Sequence, residues 1–198
     1  VIFVCGPTTK TPSNAVIINT TSHSKDFGVG LSPFHLGPVE LYDGYVAKNV
    51  ENAWQYAKVY ERHIKDGEPT TEYFEWAKRG WSNSYAVRYP MGKGAVPEYS
   101  YWNGKKLGYI EARKEIYYPI YEKAVAKTFA FKQLKEHYKE LSDRCVDLWL
   151  WDFDGFNHHE LGWSLEDVMN RPEKKMGHAF VLASMLKDIN IKNDFQLL

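Results

Sequence analysis

The run CVDLWLWDFDG, residues 145–155, constrains the fold more than any other stretch. Val146, Leu148 and Leu150 alternate with Asp147, Trp149 and Trp151, which is the two-residue period of a strand. It follows a long helical region and precedes two more helical segments, while residues 1–6 and 14–22 are β-rich around a Pro/Thr/Ser turn. Strands at the start of a chain and a strand deep in its helical half define an α+β domain. Within VELYDGYVA, 39–47, the Asp43-Gly44 pair predicts a small hairpin, and the glycines and prolines of 28–38 predict loop. Helices are predicted from an N-cap at Asn49 to a stop at Gly67, and over 69–81 from Thr70 or Thr71. A third runs over 109–140 with breaks at Pro119 and Thr128, a fourth from Ser164–Asp167 to Pro172, and a last over 174–188. Residues 82–108 read as one long irregular segment, whose aromatics argue against disorder. The expected architecture is a single domain over 1–198, mainly helical with a small β component.

Charge and cysteine usage narrow the class. Lys plus Arg and Asp plus Glu balance at 25 each, so no overall field draws the chain to nucleic acid or an anionic membrane. Cys5 and Cys145 make neither a disulfide framework nor a metal-ligand spacing, which predicts reduced thiols in the cytoplasm. VIFVCG reads as a strand rather than a signal segment, and no apolar run suits a membrane span. With 7 Trp and 14 Tyr, the chain has rings enough for a lined cleft as well as a core.

Three stretches carry candidate chemistry. In NVENAWQYAKVY, 49–60, a helical reading sets Glu51, Gln55 and Lys58 on one face and Val50, Ala53, Ala57 and Tyr60 on another. Asp152 and Asp154 stand where the late strand meets a loop, and alternation sends both to one face if the strand persists that far. Paired carboxylates there suit acid/base work, a metal, a ribose diol, or an Asx turn closing the strand. FNHHE adds His158 and His159, though without the spacing of a metal-binding helix. RYPMGKG offers Arg88 and Lys93, the latter between two glycines, as partners for phosphate.

LSPFHLGPVEL at 31–41 followed by NVENAWQYAKVY at 49–60 resembles the opening motif of the NADAR superfamily, the YbiA-like proteins. Ser32 and Phe34 match its first element; Val50, Glu51, Trp54, Gln55 and Lys58 match its second in register. The likeness returns loosely at DFDG and at KKMGHAFVLASML, which contains His178. Asn52 stands where the family has His, and Asp152-Phe153-Asp154-Gly155 replaces an Asp-x-x-Trp-Gly turn. The resemblance implies a YbiA-like fold and an N-glycosidase acting on a ribosyl C–N bond of a nucleotide-type or ADP-ribosylated small molecule. No cofactor and no metal are expected, because the ligand spacing for a metal is missing, and nucleic acid is expected only as a modified substrate. Glu51 is then the carboxylate facing the oxocarbenium, with Asp152 and Asp154 as further catalytic candidates. Ser32, Phe34, Trp54, Gln55, Lys58 and His178, with Arg88 and Lys93 from the RYPMGKG loop, form the expected substrate-binding set. Two other functions compete: a module that binds ADP-ribose or a nucleotide without cleaving it, and a metal-dependent phosphoesterase using Asp152, Asp154 and His158 or His159.

Overall fold

The computed structural model describes residues 1–195, with side chains described through 189. The fold is α+β and divides into two compact units, Val1–Ser32 with the chain from Val125 onward, and Pro33–Ala124.

The first unit is organised by a three-stranded parallel sheet in which the strand Leu148–Trp151 lies between Ile2–Cys5 and Val16–Asn19. Leu148 pairs with both Ile2 and Val16, so all three strands end together at Cys5, Trp151 and Asn19. Being central, the late strand buries Leu148, Trp149 and Leu150 on both faces, and its sequence alternation does not divide core from solvent. It begins later than the pattern predicts. Residues 144–146 close the preceding helix, Phe129–Asp143, with Cys145 at positive φ (54°) and the Val146 N–H donating to the Leu141 carbonyl. That helix starts where Thr128 caps the Phe131 N–H. The last helix, His178–Phe195, buries Ala179, Val181 and Leu182 and packs on the Ile2–Cys5 strand.

The second unit is built from hairpins and short helices. Asp43-Gly44, Asp66-Gly67 and Asn103-Gly104 all take positive φ at both residues, the backbone of a tight hairpin turn. The first was expected; the other two correct the sequence reading. The helix predicted to run to Gly67 spans only Val50–Gln55, and a strand at Lys58–Val59 and a hairpin, Ile64–Lys65 with Glu68–Pro69, follow it. β-Branched Val59 and Ile64 fit extended backbone, so Gly67 turns a hairpin instead of stopping a helix. The segment 82–108 likewise holds a hairpin, Tyr99–Trp102 with Lys105–Leu107, paired to Lys58–Val59. Thr70 caps the helix Thr71–Ser82. After Tyr109–Ala112 the chain widens into a π turn, Arg113–Tyr117, before the helix Tyr118–Val125. Pro119 cannot donate an intrahelical bond, and the wider turn precedes that gap. Ala57, Leu107, Ala112 and Ile116 form a core cluster against Trp54, Trp102 and Ile120.

Candidate functional site

Glu51 lies in the first turn of the Val50–Gln55 helix and is 6% exposed. Main-chain carbonyls of the preceding loop fix that turn: Val50 N–H donates to Leu36 and Glu51 N–H to Pro33, while Asn49 Oδ1 accepts from Asn52 N–H at 2.8 Å. Phe34 is half-buried in the same Pro33–Leu36 segment. The loop can come this close because Gly37 lacks a side chain: a Cβ there would stand 2.2 Å from the Lys48 carbonyl oxygen.

From Glu51 a polar relay runs outward. Gln55 Nε2 donates to Glu51 Oε1 at 2.9 Å, and Lys58 Nζ donates to Gln55 Oε1 at 2.8 Å. The carboxylate at one end and the ammonium at the other fix the amide's orientation, since a flipped amide would set like against like. Lys58 stands on the strand after the helix, not on the helix face predicted for it, yet it still reaches Gln55. Its Nζ lies 5.1 Å from the Trp54 ring centroid, and that ring meets Tyr117 in an edge-to-face contact. Glu51, Trp54, Gln55 and Lys58 are therefore brought together.

Asn52 has a place that sequence reasoning missed. It is fully buried, its Nδ2 donates to the carbonyls of Asn83 (3.0 Å) and Tyr85 (2.9 Å), and its Oδ1 accepts from Val87 N–H (2.8 Å). A polar residue inside a short amphipathic helix was the available signal. Arg88 follows directly, its guanidinium 5.5 Å from the Tyr89 ring centroid. Lys93 is exposed at the tip of this loop between Gly92 and Gly94, both at positive φ.

The first unit holds Ser32, Asp152, Asp154 and His178. Ser32 is buried and closes a 3-10 turn through its N–H to the Val29 carbonyl. Asp152 and Asp154 do not share a strand face, because the strand ends at Trp151 and the next residues fold into a turn. Asp152 Oδ1 accepts from Asp154 N–H at 3.3 Å, the Asx turn that was the alternative reading. Its Oδ2 accepts from Ala179 N–H at 3.2 Å and lies 3.1 Å from His178 Nδ1. Gly177 makes room for this, since a Cβ there would stand 2.1 Å from Asp152 Oδ2.

His178 Nε2 lies 2.8 Å from the Thr20 carbonyl oxygen and 2.8 Å from Thr20 Oγ1, and that hydroxyl donates to the Trp151 carbonyl. Both ring nitrogens thus face acceptors, and the geometry calls for an imidazolium paired with a carboxylate. Burial alone would push the Asp152 carboxyl up; the His178 charge and the hydrogen bonds from His178, Ala179 and Asp154 outweigh it and hold it below its ordinary range. Neighbouring Cys5 goes the other way, its thiol raised to about 11 by burial and by the Asp152 charge. His158 is buried with its ring 4.1 Å from that of His159, and burial, then His159 and Lys187, push it down to about 4. Among the described residues no three His, Cys, Asp or Glu are grouped to hold a metal ion. Among those residues, too, no helix is long and apolar enough to cross a membrane.

Residues 7–159 match the model of DUF6939, a family of unknown function, and the chain belongs to that family. No curated protein and no solved structure matches it. The matched span contains Glu51, Asn52, Arg88 and Asp152 and ends before His178.

Proposed function

We propose that this chain is a YbiA-like N-glycosidase of the cytoplasm that hydrolyses a ribosyl C–N bond in a nucleotide-type or ADP-ribosylated small molecule. The observation that carries the reading is the Glu51–Gln55–Lys58 relay, a buried carboxylate oriented by an amide that an ammonium orients in turn. Cleavage of the C–N bond leaves its electron pair on the departing base, which takes up a proton, and builds positive charge on the sugar. Glu51 opposes that charge and accepts the proton of the water that adds to the anomeric carbon. Gln55 fixes one carboxylate oxygen, so the group needs little reorganisation as charge develops. Trp54 supplies an indole, with Lys58 across it, for the base or sugar to pack against.

Release of free base from ADP-ribosylated and ribosyl-phosphate substrates, followed chromatographically with wild type and Glu51→Gln, tests this. The variant keeps the Gln55 contact and loses the charge, so turnover should fall by about a hundredfold or more with ligand affinity near normal. Unchanged turnover would remove Glu51 from the chemistry. Binding of ADP-ribose without base release by wild type would leave the non-hydrolytic module.

A further inference from the structure

We infer that Asn52 is a positioning residue that makes this site selective for phosphorylated ribosyl ligands. The inference rests on the ribosyl-site reading of Glu51 and its helix. Asn52 adjoins Glu51, and its side chain is consumed by three main-chain hydrogen bonds that pin residues 83, 85 and 87 to the helix. Both ends of the amide are used: its N–H groups bind two carbonyls and its oxygen binds one N–H. No other neutral side chain of that length offers two donors and an acceptor in one plane. Asn52 itself is 0% exposed, and its three bonds, to residues of a partly exposed loop, are part-buried.

What the clamp holds is the start of a loop that carries two cations, Arg88 and Lys93. Arg88 is the residue after the last pinned position, its guanidinium rests beside Tyr89, and Lys93 follows at a glycine-flanked tip where an added Cβ at Gly92 or Gly94 would meet open space. The carboxylate that faces the anomeric carbon and the loop that faces the phosphate are therefore joined through two adjacent helix residues, Glu51 and Asn52. In a ribosyl 5′-phosphate the phosphate is separated from the anomeric carbon by the furanose ring and one methylene. Holding Arg88 at a set distance from Glu51 turns phosphate binding into alignment of the sugar, the use of remote binding energy that lowers the barrier at the reacting carbon. Free of the clamp, the same loop would bind phosphate in many registers and align nothing.

Titration of wild type, Asn52→Asp, Val87→Pro and Arg88→Ala with ADP-ribose and with adenosine tests this, thermal melts confirming that each variant is folded. Asn52→Asp sets a carboxylate against two carbonyls; Val87→Pro removes one pinned N–H from a half-buried loop without touching the helix, and so serves if the buried variant fails to fold. Each variant should lower the preference for ADP-ribose over adenosine by about tenfold, on the scale of a lost charged hydrogen bond. Arg88→Ala combined with Val87→Pro should lose no more than Arg88→Ala alone. Equal loss for both ligands, an additive double variant, or a wild type that prefers neither ligand overturns the inference. A wild type that shows the preference but releases no base refutes the hydrolase and leaves this assignment standing.

Discussion

Each compact unit buries a carboxylate, Asp152 at the end of the parallel sheet and Glu51 in the first turn of a short helix. Their surroundings differ in kind. Asp152 accepts from two main-chain N–H groups and pairs with a buried imidazolium, and the last helix begins on it. Such a group is part of how the chain closes: the end of a strand, a turn and a helix start are all defined by one side chain. Glu51 is approached by a side-chain amide, which leads to a half-buried lysine over an indole. Main-chain partners bind a carboxylate into the fold. A side-chain relay holds its charge in place and leaves the fold to others.

The largest effect should come from breaking the first arrangement. Asp152→Ala or His178→Ala leaves an uncompensated charge in the interior and should cost about 3–5 kcal/mol in urea unfolding. Gly177→Ala should cost a comparable amount, because its methyl would stand 2.1 Å from the carboxylate oxygen. The pH dependence has a definite sign. The folded carboxyl is held below its ordinary range, so its contribution is fully present above about pH 4 and is lost as pH falls below it. Asp152→Asn should flatten that acid limb. A loss under about 1 kcal/mol for both Asp152→Ala and His178→Ala would make the two carboxylates alike and undo the comparison.

Glu51→Gln should behave in reverse, with base release down by about a hundredfold and unfolding free energy within about 1 kcal/mol of wild type. Comparable damage to stability would place Glu51 with Asp152 as a structural group.

How much of this was legible in advance depends on the range of each signal. Local chemistry read well: Asn49, Thr70 and Ser164 all cap the helices that follow them, and the break expected at Thr128 is where a new helix starts. Asp43-Gly44 turns the expected hairpin. Asn103-Gly104 carries the same signal inside a segment whose other residues read as irregular, and at Asp66-Gly67 a preceding apolar stripe that fits a helix competes with it. Gln55 and Lys58 lie within seven residues of Glu51 and are visible as a stripe, though Lys58 arrives by a strand. What could not be read were contacts set by long-range register. Thr20 meets His178 only because two parallel strands end together, and Asn52 meets Asn83, Tyr85 and Val87 only because a loop returns to the helix. Neither leaves a spacing in the chain.

A smaller effect is expected from the loop. Charge reversal at Arg88 and Lys93 together should weaken ADP-ribose binding by about tenfold and leave adenosine binding unchanged, the scale of one lost charged hydrogen bond. Equal weakening for both ligands would show that the loop shapes the site and does not read phosphate.

The smallest expected change in stability comes from removing the cation of the second arrangement. In the sheet unit the cation is His178, enclosed on every bonded side, and its loss strands a buried charge. In the other unit the cation is Lys58, half-buried, with its ammonium over an indole and bonded to the Gln55 amide. Lys58→Met keeps the length and the contact with the Trp54 ring while removing the charge. Gln55 still donates to Glu51, so the carboxylate stays oriented. A cation–π contact and a partly solvated hydrogen bond of this kind are together worth about 1 kcal/mol in folding, against several for His178→Ala. Turnover should fall more than stability does, by about three- to tenfold, because the amide loses the charge that polarises it toward Glu51. Equilibrium unfolding and base release measured on the same preparation separate the two. A stability loss matching that of His178→Ala would mean that this relay, too, belongs to the framework, and the contrast between the two buried carboxylates would have to be abandoned.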